Sequence, residues 1–117
     1  MRPEERDLAL LWDMREAARD IIAFTSGLDY QQFETDKLVR AAVERQVMII
    51  GEAANKVSEG LKQRRADIPW RAIIGQRNIL AHEYGEILVE RVWLLVKDYV
   101  PRLVQQMDSL IPDSADQ

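Results

Sequence analysis

The residues with the greatest capacity for chemistry lie close together in one segment of the sequence. It contains the only histidine of the chain, His82, with Arg77 five residues before it and Tyr84 two residues after it. Histidine is the side chain that most readily gives and takes a proton near neutral pH, so His82 is a candidate general acid or base. The guanidinium of Arg77 has a permanent charge and a planar set of donors that fits phosphate oxygens. The segment therefore indicates chemistry on a phosphate ester.

Two neighbouring residues could support this chemistry. Asn78 lies one helical turn before His82 and could hydrogen-bond a phosphate or orient the imidazole. Arg71 belongs to a basic stretch, residues 61–80, in which a single acid, Asp67, is outnumbered by the basic residues Lys62, Arg64, Arg65, Arg71 and Arg77. A surface that faces phosphate groups is one interpretation of this stretch, and a solvated connector is the other.

These residues could cleave RNA without a metal ion. A general base would take the proton of a ribose 2′-hydroxyl, whose oxygen would then attack the adjacent phosphate. Arg77 would stabilise the charge that develops on the phosphate oxygens, and the products would be a 2′,3′-cyclic phosphate and a 5′-hydroxyl. With one histidine, no cysteine and no acidic cluster at ligand spacing, the sequence gives no candidate metal site, and we predict no cofactor.

The spacing of Arg77 and His82 limits how one helix could present them. Five residues correspond to a rotation of about 140° around a regular helix, so the two side chains cannot meet within one turn. Either the helix breaks near His82, where Gly85 offers a stop, or the site draws on a second element or a second subunit. A two-fold homodimer with two His82 side chains across one cleft would also supply an acid for the leaving oxygen.

Composition predicts one domain without a membrane anchor. The 117 residues are 47% hydrophobic and 31% charged, which is typical of a globular chain with a single core. We predict one helical domain over residues 1–111 and a disordered polar tail over residues 112–117. The absence of cysteine, of a long apolar run and of a signal-peptide pattern leads us to expect a cytoplasmic protein. A net charge of −4 argues against broad, salt-driven binding to nucleic acids.

Helical periodicity extends along the chain, and no strand pattern interrupts it. A first helix begins at residues 3–5 and ends at Gly27, with Asp7 on its outer side and Leu8, Leu11, Trp12, Arg15, Ala18 and Ile22 on its apolar side. Residues 28–35 are predicted to be a loop that places Phe33 in the core. A second helix, capped by Thr35 or Asp36, has the apolar row Val39, Val43, Val47, Ile50, Ala54, Val57 and Leu61.

The second half of the chain predicts a connector and two further helices. The connector is residues 60–69, the third helix extends from Trp70 to about Glu83, and the last helix is kinked or split near Val100 by Pro101. The predicted fold is all-α, an up-and-down bundle of four to five helices. In the second helix, Arg45 and Glu52 share a face, and we interpret them as a buried polar pair that holds helices together.

Three segments together resemble the HepT-like toxins of the HEPN superfamily of small helical ribonucleases. They are the Arg77-x4-His82-x-Tyr84 motif, the second-helix run over residues 43–54, and Ile68-Pro69-Trp70-Arg71 before the motif. The segments occur in the same order as in that family, and the resemblance covers roughly residues 36–100. The resemblance implies a dimeric, metal-independent endoribonuclease that acts as the toxin of a bacterial toxin–antitoxin pair.

By position, the resemblance also assigns roles to single residues. It makes Arg77 and His82 the catalytic pair, and Tyr84 the tyrosine that a partner antitoxin, a minimal nucleotidyltransferase, adenylylates from ATP. An AMP group on Tyr84 would compete with an RNA phosphate for Arg77. The alternative is a helical module without catalytic activity that binds nucleotides or docks a nucleotidyltransferase, with His82 in a structural role.

Overall fold

The computed structural model describes residues 4–82 and 86–112, and for residues 77–82 and 86–88 it describes the backbone alone. These residues form α-helices, one π-helical turn and no β-strand, which confirms the predicted all-α class. The helices are α1 (Glu5–Thr25), α2 (Tyr30–Thr35), α3 (Lys37–Lys56), α4 (Glu59–Arg64), α5 (Trp70–His82), α6 (Glu86–Leu94) and α7 (Val100–Leu110), with the π-helical turn (Leu95–Tyr99) between α6 and α7.

The bundle is built around α3. This helix packs against α1 on one side and α5 on the other, and α1 also packs against α7. The residues of α3 that are buried are apolar and follow helical spacing: Val43, Val47, Ile50, Gly51, Ala53 and Ala54. The small residues at positions 51, 53 and 54 let the neighbouring helices come close. Helix α5 is therefore held in place by packing against α3.

Helix α1 buries part of the predicted face, since Leu11, Arg15 and Ala18 are in the core as predicted, but its buried stripe is shifted around the helix. The buried residues recur every three or four positions, as one stripe of a helix requires, and they are Asp7, Leu11, Met14, Arg15, Ala17, Ala18, Ile21 and Thr25. Trp12 and Ile22, which were predicted to face the core, are 42% and 39% exposed. Apolar residues lie on two adjacent faces of this helix, so periodicity alone did not show which face meets α3. The helix is followed by Gly27, whose φ of 78° is a conformation that favours glycine.

Two short helices replace segments that were predicted to be loops. In α2, Asp29 accepts a hydrogen bond from the backbone of Gln32, and the Gln32 side chain accepts one from the backbone of Asp29, which is a capping box. Phe33 of this helix is fully buried, as predicted. In α4, the side chain of Ser58 accepts a hydrogen bond from Leu61 N. The second predicted row was therefore too long: α3 ends at Lys56.

Pro101 determines how the last helix is wound. Proline has no N–H to donate and its ring collides with the carbonyl four residues earlier, so an uninterrupted α-helix is unfavourable here. The chain forms the π-helical turn immediately before it, and Val100 N donates to Leu95 O, five residues back. The predicted split near Val100 is confirmed. On both sides of the turn, residues such as Val92, Leu95, Leu103 and Met107 remain in the core.

Two polar groups of α1 that are buried connect it to distant parts of the chain. The carboxylate of Asp7, 3% exposed, accepts hydrogen bonds from Ser58 N (3.0 Å) and Ser58 Oγ (2.5 Å) and so holds the start of α4. Arg15, 1% exposed, forms an ion pair with Asp108 of α7 at 3.2 Å. A buried polar group is costly unless it has a partner, so these contacts specify how the helices are placed.

We expect Asp7→Ala to lower the free energy of unfolding by about 1–3 kcal/mol, because it leaves the Ser58 groups without their acceptor. The measurement is urea denaturation followed by far-UV circular dichroism. Asp13→Ala, an exposed carboxylate on the same helix, is the control and should change the stability by less than about 0.5 kcal/mol. Equal effects of the two substitutions would contradict a structural role for the Asp7 contact.

Candidate active site and the α4–α5 groove

Helix α5 is fixed at its first residue by the segment that precedes it. Trp70, 7% exposed, donates from its indole nitrogen to Arg65 O at 3.0 Å. Ile68 is 1% exposed, and Pro69 O accepts the hydrogen bond from Ile73 N that opens the helix. Pro69 suits this position, since a residue before the helix needs no N–H donor. The predicted start of the third helix is confirmed, and the packing of Trp70 sets the rotation of α5.

The turn between α4 and α5 is closed by an ion pair. Arg65 donates to both carboxylate oxygens of Asp67, at 3.0 and 3.1 Å, and one of its nitrogens also reaches Ser109 Oγ of α7 at 3.2 Å. The two-pronged geometry matches the fork of a guanidinium to a carboxylate. Asp67, the lone acid of the basic stretch, is therefore occupied by Arg65.

The backbone of α5 is helical from Trp70 through His82, so it includes the predicted positions Arg71, Arg77, Asn78 and His82. Because no break separates Arg77 from His82, these positions stay about 140° apart around the axis. Residues 71, 75, 78 and 82 follow one another at intervals of four, three and four, which puts them within about 60° of one stripe. The helix thus aligns Arg71, Asn78 and His82 and separates Arg77 from them. Tyr84 lies outside the described residues.

Arg45 and Glu52 do not form a buried pair within the chain. Both side chains are exposed on α3. Seven residues of helix also separate their Cα atoms by about 10 Å along the axis, too far for a direct ion pair between neighbouring turns. Their shared face was inferred correctly from spacing, but spacing does not tell whether a shared face points toward the core. The prediction that they form a buried pair holding helices together is therefore wrong.

A groove of about 550 Å³ lies between α4 and α5. Its α4 wall includes Glu59, Lys62 and Gln63, and its α5 wall includes Arg71, Ile74 and Gly75. We call this feature the α4–α5 groove. Sequence reasoning identified the basic residues but continued the second helix to Leu61 and predicted a connector after it, so it missed a separate helix over residues 59–64 and the groove that Lys62 and Arg71 both line. The serine cap at position 58 was the available signal for this helix.

The sequence of this chain matches a known protein family. A family model described as "Ribonuclease HepT-like" matches residues 14–110. The chain belongs to the HepT-like ribonuclease family. The match covers α5 and both walls of the α4–α5 groove, and the predicted resemblance and the predicted endoribonuclease are confirmed at the level of the family.

Individual relatives support the same assignment. The chain is 37% identical over 105 residues to "Putative RNase MJ1380" of Methanocaldococcus jannaschii, a match that covers 89% of this chain and 96% of that protein. It is 34% identical over 100 residues to "Probable ribonuclease HepT" of Thermococcus cleftensis, covering 86% of this chain and 91% of that protein. No solved structure gives a significant match.

In the described part of the chain, no helix has both the length and the apolar composition that a membrane crossing needs. Within the same residues, no three histidine, aspartate or glutamate side chains are grouped closely enough to hold a metal ion.

The Arg65–Asp67 pair predicts how stability depends on pH. The hydrogen bond from Arg65 favours the ionised carboxylate and so lowers the pKa of Asp67. The pair therefore stabilises the folded chain above about pH 4, where an unfolded aspartate is ionised, and this contribution is lost as the pH falls through the lowered pKa. We expect Asp67→Asn to be less stable than the wild type near neutral pH, with a difference that shrinks toward about pH 3.

The measurement is the urea midpoint of both proteins at a series of pH values. Asp20→Asn, which removes an exposed carboxylate of α1, is the control and should show no such convergence. A difference between Asp67→Asn and the wild type that is the same at every pH would contradict the stabilising role of the pair.

Proposed function

We propose that this ribonuclease is the toxin of a toxin–antitoxin pair, a metal-independent endoribonuclease that is neutralised by adenylylation of Tyr84. The observation that carries the proposal is the family match, which extends over the α5 segment that contains Arg77 and His82. The relative from Thermococcus cleftensis bears the name of a ribonuclease HepT, in agreement with this class.

In the proposed reaction, His82 acts on protons and Arg77 acts on charge. A base takes the proton of the 2′-hydroxyl, the 2′-oxygen forms a bond to the adjacent phosphorus, and the bond from phosphorus to the 5′-oxygen breaks. The departing 5′-oxygen takes a proton from an acid. Arg77 stabilises the negative charge that builds on the two non-bridging oxygens, where a guanidinium can donate two hydrogen bonds.

A homodimer is part of this proposal, for two physical reasons. The chain has a single histidine, and the reaction needs a base for the attacking oxygen and an acid for the leaving oxygen. The helical backbone of α5 also keeps positions 77 and 82 about 140° apart, which favours a phosphate held between residues of two copies over one held by a single helix. A two-fold axis beside α5 would bring two such helices to one cleft.

The proposed control of activity is a covalent change at Tyr84. The phenol oxygen attacks the α-phosphorus of ATP, pyrophosphate leaves, and the phenolic proton passes to solvent or to a base of the partner enzyme. The product carries a new anionic phosphate and a purine close in sequence to Arg77. This group would occupy the guanidinium that the RNA phosphate needs, so the modification acts as an electrostatic competitor.

We expect His82→Ala and Arg77→Ala each to lower RNA cleavage by at least about a hundredfold, because they remove a proton-transfer group and a transition-state charge. The measurement is cleavage of total cellular RNA by purified protein in excess EDTA, with the product ends analysed for 2′,3′-cyclic phosphate. Circular dichroism checks that each variant is folded.

Arg102→Ala, which removes an exposed arginine of α7, is the matched control and should cleave like the wild type. Retained cleavage by His82→Ala would remove that residue from the reaction. No cleavage by the wild-type protein on any RNA, together with tight binding of a nucleotidyltransferase, would favour a module without catalytic activity.

We expect Tyr84→Phe to cleave RNA within about threefold of the wild type but to escape neutralisation, because it lacks only the oxygen that accepts AMP. The measurement is growth of cells that produce either protein with a cognate minimal nucleotidyltransferase, followed by intact-mass analysis. Tyr99→Phe, a partly exposed tyrosine beside α7, is the control and should still be modified and neutralised. A mass shift of one AMP on Tyr84→Phe would place the modification elsewhere.

A further inference from the structure

The α4–α5 groove has the size and the charges to hold part of an RNA strand. Its volume of about 550 Å³ is in the range of ligand sites, whereas an apolar crevice between α3, α5 and α7 has a volume of only about 40 Å³, too small for a nucleotide. The groove is open to solvent along one side. Lys62 stands on one wall and Arg71 on the other, so two cations face the same space.

Lys62 has weak contacts with other groups of the chain, whereas Arg71 has no ion-pair partner among the described residues. The ammonium of Lys62 is 3.8 Å from the carboxylate of Glu59 and 3.4 Å from Asn55 O, both near the limit of a polar contact. Arg71 is exposed and has no ion pair with any acid in the described part of the chain. The Lys62 side chain is only 13% exposed, but both of its contacts are long and Glu59 is 82% exposed, so they compete weakly with a phosphate that reaches the ammonium from within the groove.

Gly75 is the second observation, and it is independent of charge. It lies in the interior of α5, where glycine costs about 1 kcal/mol relative to alanine. A Cβ at Gly75 would meet no atom of the described residues within 4 Å, so packing among those residues does not require a glycine. It lines the groove, and the missing side chain leaves the backbone of α5 open there. A glycine of this kind suits close approach of another backbone, here that of a ligand.

The register of α5 connects this groove to the proposed catalytic position. Arg71, Gly75 and His82 belong to one stripe of the helix, and His82 follows Gly75 by about 10 Å along the axis. A strand that lies against Gly75 and continues along the stripe therefore arrives at the position of His82. Arg77 is on another face, so the groove adds phosphate contacts that the catalytic pair does not provide.

We propose that the α4–α5 groove binds the single-stranded RNA next to the cleaved bond, with the sugar–phosphate backbone against Gly75 and a phosphate between Lys62 and Arg71. This proposal rests on the proposed ribonuclease function and names the surface through which that function takes its substrate. It accounts for RNA binding by an acidic chain, since a few cations in one cavity act locally while the net charge of −4 opposes binding elsewhere.

The test enlarges Gly75 without disturbing the fold. Gly75→Ala and Gly75→Gln should both be at least as stable as the wild type, because each residue is a better helix former and the space is open. We expect Gly75→Gln to lower kcat/KM for RNA cleavage by about tenfold or more, since the side chain fills the space of the strand, and Gly75→Ala to have a smaller effect.

The matched control is Gly60→Gln. Gly60 is likewise a helical glycine, exposed where Gly75 is half-buried. It does not line the groove, and a Cβ there would meet only the end of the Arg64 side chain at 3.4 Å. Gly60→Gln should gain helix stability like Gly75→Gln but cleave RNA like the wild type. Equal losses in both variants, or none in either, would overturn the proposal.

Binding is measured separately from cleavage, on His82→Ala protein with a fluorescein-labelled single-stranded RNA of mixed sequence. Adding Lys62→Ala or Arg71→Ala should reduce the slope of log K against log salt concentration by about 0.7 for each lost phosphate contact. Adding Gly75→Gln should weaken binding at every salt concentration. An unchanged slope and affinity in these variants would overturn the proposal even where the wild type cleaves RNA.

These two assays separate failure of the groove from failure of the proposed function. A wild type that cleaves nothing defeats the proposed function, while the binding assay still decides whether the groove takes RNA. The alternative occupant of the groove is a second copy of the chain. Light scattering of the Gly75 variants tests this alternative, because it measures the oligomeric state. A change of oligomeric state with Gly75→Gln would show that this face is an interface between copies and would overturn the proposal.

Discussion

The regular winding of α5 is the constraint on which the rest of the structure depends. A helix that is continuous from Trp70 through His82 has a fixed rotation per residue, so anchoring one end determines where every later position lies. Trp70 and Pro69 provide that anchor, and packing against α3 holds the helix along its length. The alignment of Arg71, Gly75 and His82, and the separation of Arg77 from them, follow from this geometry.

The long helices could be predicted from sequence because each buries a stripe of apolar residues over many turns. The short ones could not, since α2 and α4 have six residues each, too few for a periodic pattern. Their signals were local: Asp29 with Gln32 three residues later, and Ser58 as a cap. The buried face of α1 was predicted only in part, because Trp12 and Ile22 are apolar residues on the exposed side, and Asp7 is a polar residue on the buried side.

The candidate site was predictable to the extent that its residues are close in sequence. Arg77, His82 and Arg71 could be named from residue type and spacing alone, and the family match covers all three. The groove could not be predicted, since it forms between α5 and a helix that the sequence did not reveal. Gly75 illustrates the difference: in the sequence it is one glycine in a helical pattern, and only the structure shows that no atom of the described residues comes within 4 Å of where its Cβ would lie.

The link between Asp7 and Ser58 has a consequence for when the α4–α5 groove can form. A helix of six residues is unstable by itself in water, so α4 exists only while other parts of the chain hold it. One of the contacts that hold it is the hydrogen bond from Ser58 N to the carboxylate of Asp7, 51 residues earlier in the sequence. One wall of the groove therefore depends on the first helix of the chain, although no residue of that helix lines the groove. The cavity is a product of complete folding, which delays its appearance until α1, α4 and α5 have assembled.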